Sequence, residues 1–95
     1  MKFYESVILA LGDNKSKIED ITGTKLFKDE RNDLVISNIK KSKKIKNIYV
    51  CYNKPAAKID IIFLDKKGNL IKTKVGCSIN YIKEIIENET QVSFS

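Results

Sequence analysis

The sequence predicts an α+β fold: a small antiparallel β-sheet of three to five strands, with helical segments N-terminal to it and a C-terminal helix packed on one face. Three features point that way. Two β-rich runs flank a glycine-containing turn in KIDIIFLDKKGNLIKTKVG, residues 58–76. The stretch CSINYIKEIIENE, residues 77–89, repeats isoleucine at helical spacing. An apolar N-terminal run stops at Gly12, where a glycine ends a helix well.

In the N-terminal run, Tyr4, Val7, Ile8 and Leu11 fit one helical face. FYESVILAL satisfies the strand period as well, so residues 3–11 stay open between helix and strand. SKIED, Ser16 to Asp20, carries the capping-box spacing from Ser16 to Glu19, and Gly23 follows as a stop. A short second helix is expected there. DLVIS, residues 33–37, reads as a strand or as part of a short helix over 33–41. If it is a strand, the lysine run after it is a hairpin loop.

NIYVCYN, residues 47–53, is a strand by its β-branched and aromatic content. KPAA follows as a turn marked by Pro55. With Asn53 opposite Lys58, the residues Ile48, Val50 and Tyr52 join the apolar face, and Tyr49 and Cys51 the other. In the next hairpin, Gly68 closes a three-residue loop with a bulge. Setting Asp65 opposite Asn69 pairs Phe63 with Ile71, Ile61 with Thr73 and Ile59 with Val75 on the apolar face. Leu64 then meets Leu70, Ile62 meets Lys72, and Asp60 meets Lys74 as opposite charges. Ser78 is the expected N-cap of the last helix. Ile79, Ile82 and Ile86, widened by Tyr81 and Ile85, face the sheet, while Lys83, Glu84 and Glu87 face water. Residues 90–95 read as a loose tail.

Ninety-five residues make a single domain, 1–95, that buries roughly 60–65% of its unfolded surface. The net charge is +6, and Arg31 is the only arginine beside 17 lysines. Lysine attracts polyanions as a point charge and lacks arginine's bidentate fork. Richness in lysine, isoleucine and asparagine is also what an AT-rich genome encodes, so the charge is either functional or compositional.

There is no histidine, which removes Ser-His-Asp and Cys-His machinery and nearly every zinc site. A non-enzyme without cofactor or metal is expected, with an enzyme free of histidine chemistry as the remaining alternative. No apolar run approaches the ~20 residues of a membrane span, and VILAL is too short for a signal-peptide core. The expectation is a cytoplasmic protein that does not engage a membrane. Cys51 and Cys77 lack CxxC spacing and are too few for a disulfide scaffold.

Two places could bind. IKKSKKIKN, residues 39–47, holds Lys40, Lys41, Lys43, Lys44 and Lys46. It is either an electrostatic footprint for nucleic acid or a solvated loop that guards the sheet edge. The second is the non-core sheet face, where Tyr49 would lie among Lys58, Lys72 and Lys74, as on surfaces that stack single-stranded bases. The competing expectation covers Tyr49, Ile62, Leu64 and Leu70 with the N-terminal helices. Cys77 at a helix start and the carboxylates Glu19, Asp20, Asp29, Glu30 and Asp33 read as packing and solvated surface. TGTK, Thr22 to Lys25, lacks the full phosphate-loop pattern.

The expected function is therefore a small basic, non-catalytic binding module that acts on nucleic acid or a nucleoprotein through a lysine-rich surface. The alternative is a protein-interaction module, such as a phage or mobile-element inhibitor or adaptor that blocks a larger host or defence protein. Tyr49, Tyr52 or Phe94 would then be the anchor. An acidic DNA mimic is excluded by the sign of the charge. Oligomeric state is left open, since the edge strand at 69–75 can pair with a second copy.

Overall fold

The computed structural model describes residues 2–53 and 58–92. The fold is α+β, with one five-stranded antiparallel sheet and three helices. Helix α1 spans Phe3–Leu11 and α2 spans Asn14–Thr22. The strands follow as β1 Leu26–Lys28, β2 Leu34–Ile36, β3 Asn47–Asn53, β4 Lys58–Leu64 and β5 Leu70–Cys77. A 3₁₀ turn, Ile79–Tyr81, then leads into α3, Ile82–Val92. The strands lie in chain order, so each pairs with its sequence neighbour.

All three helices pack on one face. Val7 and Leu11 of α1, Ile18 of α2, and Ile82 and Ile86 of α3 join Leu26, Leu34, Ile36, Ile48, Val50, Ile59, Ile61 and Phe63 in one buried cluster. The strand members alternate along the chain, as a half-buried sheet requires. Segment 3–11 is thus a helix, because Val7 and Leu11 bury at helical spacing with Tyr4 and Ile8 beside them. Segment 33–41 contributes a strand.

Helix α2 starts earlier than the capping box implies. Ser16 lies inside it and exposed, and Asp13, at the N-cap, makes no side-chain cap bond. Glu19 is used elsewhere: it accepts from Lys15 Nζ at 3.2 Å and from the backbone N–H of Leu26 at 3.1 Å. Gly23 does end the helix, with φ +76 and its N–H on the Glu19 carbonyl. Ser78 accepts from the N–H of Asn80 as the expected cap, but a 3₁₀ turn comes first. Helix α3 continues to Val92, with Thr90 buried and its hydroxyl donating to the Ile86 carbonyl at 2.8 Å. The loose tail expected from residue 90 is thus helical through 92, and residues 93–95, Phe94 among them, lie outside the described residues. So does the KPAA turn.

The β3–β4 register is the expected one, from Asn53↔Lys58 to Asn47↔Leu64. The β4–β5 register departs from expectation after its first pair. Leu64 meets Leu70, but Phe63 then faces Lys72, Ile62 faces Thr73, Ile61 faces Lys74 and Ile59 faces Cys77. Two irregularities in β5 cause this. Ile71 is an extra residue that still packs against the core. Val75 and Gly76 together oppose Asp60, with Gly76 at φ +68. That left-handed position suits a residue without Cβ, and it turns the Gly76 N–H onto Asp60 Oδ1 at 2.9 Å. Asp60 also accepts from Asn53 Nδ2 at 2.8 Å. The expected Asp60–Lys74 pair is not formed.

The two short hairpins are built alike. Asp29 accepts through Oδ1 from the N–H groups of Arg31 and Asp33, and Asp65 through Oδ1 from those of Lys67 and Asn69. Each turn places its fourth residue at positive φ, Asn32 at 64 and Gly68 at 84. Among the described residues no helix is long and apolar enough to cross a membrane.

Candidate polyanion-binding loop and open sheet face

The lysine run is the β2–β3 connection, and it is not a loosely solvated turn. Its residues follow a period of three. Ile39, Ser42 and Ile45 are buried, while Lys40, Lys41, Lys43 and Lys44 between them are exposed. Ile39 and Ile45 belong to the main core. Each such burial stabilises by about 1.5–3 kcal/mol, so the core fixes the loop that carries the charge.

Hydrogen bonds fix its path. The N–H groups of Lys40 and Lys41 both donate to the Thr22 carbonyl at the end of α2, at 3.0 and 3.2 Å. Ile39 N–H donates to the Lys46 carbonyl, and Lys46 N–H to Leu64 at the end of β4. Ser42 Oγ accepts from the N–H of Ile45 at 3.1 Å. The Lys46 ammonium turns inward and donates to the carbonyls of Ser42 at 2.7 Å and Ile39 at 3.4 Å. Lys46 therefore braces the loop, whereas Lys40, Lys41, Lys43 and Lys44 form no ion pair among the described residues.

Two clefts flank the loop. One, of about 620 Å³, lies against the end of α2 and is lined by Ser16, Glu19, Asp20, Gly23, Thr24, Lys25, Lys40 and Lys41. Its two carboxylates oppose three ammonium groups. The other, of about 410 Å³, is lined by Asn38, Ile39, Lys40, Lys46, Asn47 and Lys66, without a carboxylate.

Among the described residues no helix covers the sheet face away from the core, contrary to the expectation that helices bury it. Phe27, Val35, Tyr49, Ile62 and Thr73 are cross-strand partners in one row, one residue per strand. The core cluster includes none of them. Val35 is buried, Tyr49 and Ile62 are half-buried, and Phe27 is 46% exposed. Leu64 and Leu70 pair beside this row, with Leu70 exposed.

The structure does not gather the lysines expected around Tyr49. Lys72 and Lys74 oppose the core residues Phe63 and Ile61, and so sit on the helix side. Lys72 pairs there with Glu89 of α3 at 3.2 Å. The Ile71 bulge moved them. Lys58 shares the open face but opposes Asn53 at its far end.

That far end is mixed in charge, with Asp29, Asp33 and Asp60 near Cys51 and with Lys58 and Arg31 beside them. Burial, and then Asp33, Asp29 and Asp60, push the Cys51 thiol up to about 11. Burial, and then Asp29, also raise the Asp33 carboxyl. The thiol is held protonated, the reverse of an activated nucleophile. The open face thus runs from an end that carries lysines alone to one where carboxylates and cations are mixed. Among the described residues no group of three or more cysteine, aspartate or glutamate side chains is placed to hold a metal ion.

Sequence reasoning set Lys25 aside with TGTK and missed Phe27, Lys66, Asn38 and Asn47. Lys66 had a usable signal, since its turn closes the strand that ends beside Lys46. Phe27 sits on a three-residue strand, too short for alternation to register. No protein-family model, curated protein or solved structure matches the chain.

Proposed function

We propose that the protein is a small, basic, non-catalytic binding module that engages nucleic acid or a nucleoprotein through the loop 39–46. The observation that carries this is the period-three loop. Burial of Ile39, Ser42 and Ile45 presents Lys40, Lys41, Lys43 and Lys44 together, exposed and without an ion pair among the described residues. Like charges held close repel, and a bound phosphate chain relieves that repulsion while releasing its counterions. On this proposal the protein works in the cytoplasm, where its two free cysteines remain reduced.

The test is fluorescence anisotropy with labelled oligonucleotides from low to physiological salt. Replacing the four exposed lysines by glutamine should make the slope of log K against log salt shallower by about 3. Equal binding by wild type and variant would refute the role of the loop.

A second reading is the protein-interaction module, an inhibitor or adaptor of phage or mobile-element type. The uncovered row of Phe27, Tyr49 and Ile62 favours it, because an exposed aromatic and aliphatic patch suits a binding hot spot. Tyr52 is less suited, since its ring already meets Phe3 at 5.8 Å.

A further inference from the structure

The carboxylate-free cleft and the open sheet face are continuous. Asn47 lines the cleft and is the first residue of β3. Tyr49 follows two positions later, on the same face and about 7 Å along the strand. We infer that the ligand is single-stranded nucleic acid, its phosphates on Lys40 and Lys66 of the cleft and its bases laid along the open face over Tyr49 and Phe27. The inference rests on the proposed polyanion reading of the loop and deepens it.

Three features select a single strand over a duplex. A duplex presents phosphates outward and leaves the apolar row of Phe27, Val35, Tyr49 and Ile62 unused. Splayed bases have apolar π-faces that stack on aromatic rings in any sequence. Second, the only arginine, Arg31, lies in the turn between β1 and β2 at the mixed-charge end of the sheet. The site therefore lacks the guanidinium forks that read guanine in the major groove. Third, the lysine cleft has no carboxylate in its lining, whereas the other end of the face mixes carboxylates with Lys58 and Arg31. Lys40, Lys46 and Lys66 line the entry cleft, and Asp29, Asp33 and Asp60 surround Cys51 at the far end.

That difference between the two ends sets the path and the footprint. A phosphate is drawn in at Asn47 and finds carboxylates nearest at Cys51, so the strand crosses the sheet from Tyr49 along the apolar row toward β1 instead of following β3. Tyr49 and Phe27 are two strands apart, about 10 Å, room for bases of a footprint of about three nucleotides. Side-chain amides of Asn38 and Asn47 border the cleft and can donate to or accept from a base edge.

The experiment compares a single strand and a duplex of matched phosphate number by anisotropy across a salt titration. Polyglutamate of equal charge serves as competitor. The expected result is single-strand binding at least tenfold tighter than duplex. Tyr49→Leu and Phe27→Leu keep apolar bulk while removing the ring. Each should weaken the single strand about tenfold with the salt slope unchanged, and leave duplex binding as it was. Lys66→Gln should weaken both and flatten the slope by about 0.7. Urea unfolding of each variant checks that the sheet is intact.

Tyrosine fluorescence, quenched by the single strand in the wild type and less so in Tyr49→Leu, reports stacking directly. Duplex binding as tight as single strand, or unchanged binding by both leucine variants, overturns the inference and leaves the loop reading standing. Polyglutamate competing as well as the oligonucleotide also overturns it, pointing to an acidic protein surface. Absence of binding to either oligonucleotide at low salt sinks both.

Discussion

Gly23 joins the end of α2 to the lysine loop, and replacing it measures how firmly the loop is held. It sits at φ +76, and a Cβ there would lie 3.2 Å from Lys41 Cγ and 3.3 Å from Lys40 Cβ. Gly68 is the matched control, at φ +84 with nothing within 4 Å. For Gly68→Ala the left-handed backbone costs about 1–2 kcal/mol. The stiffer unfolded chain returns about 0.4–1 kcal/mol, leaving a net loss of about 1 kcal/mol.

Gly23→Ala carries the same loss and also displaces the loop. Lys40 Cβ is one bond from the backbone, so that shift stretches the two hydrogen bonds onto the Thr22 carbonyl. Weakening both, at about 0.5–1.5 kcal/mol each, brings the total to about 2–3 kcal/mol. Urea unfolding reads the difference as a midpoint about 1 M lower for Gly23→Ala than for Gly68→Ala, at an m-value near 1–2 kcal/mol per M. Equal midpoints would refute the view that the helix end and the loop are one packed unit.

Ile45→Ala empties a fully packed position and should cost about 2–5 kcal/mol, measured by denaturant unfolding; a loss below about 1 kcal/mol would mean the loop is not anchored by the core. Cys51 gives a signed pH dependence. Its folded thiol titrates at about 11, above the ordinary range near 9, so its contribution is complete below the unfolded value and is lost as pH rises from there toward 11. The wild type should therefore lose more stability between pH 8 and pH 10 than Cys51→Ala, compared by urea midpoints. Asp65 is the opposite case. The backbone N–H of Asn69, then that of Lys67, hold its carboxyl below the usual range, so its contribution is present at neutral pH and fades as pH falls through the acid range. Asp65→Ala and Asp29→Ala, which remove the same pair of turn hydrogen bonds, should lower the unfolding midpoint by similar amounts.

Most elements were legible because period and punctuation agreed. Gly12 and Gly23 stop their helices, Ser78 caps the turn that leads into α3, and the β3–β4 pairs follow from apolar alternation once the turn sets Asn53 opposite Lys58. The β4–β5 register failed where two signals competed. Phe63, Ile61 and Ile59 alternate cleanly against Ile71, Thr73 and Val75, and that pattern hid the bulges. Gly76 inside the strand was the clue, since an interior glycine often marks one. The same error misplaced Lys72 and Lys74 relative to Tyr49. The capping box failed because Glu19 found a better donor in the Leu26 N–H, a partner from another element that local spacing cannot reveal. Strand β1 has three residues and no period to read.

The loop's own rhythm was present in the sequence. An inward residue recurs every third position in IKKSKKI, a period that neither the strand nor the helix template matches. Whether the open face is covered depends on where the helices pack, and no local pattern states that.

The inward anchors of the loop also tie salt to stability. In the unfolded chain the loop ammonium groups move apart, but folding herds them together around Ile39, Ser42 and Ile45. The native state therefore holds a concentrated positive field that the denatured ensemble disperses. Any small anion that gathers there favours the native state by mass action. Added sulfate should raise the melting temperature even as it displaces an oligonucleotide. A plain thermal-shift screen across anions thus ranks occupants of the loop before a natural partner is in hand.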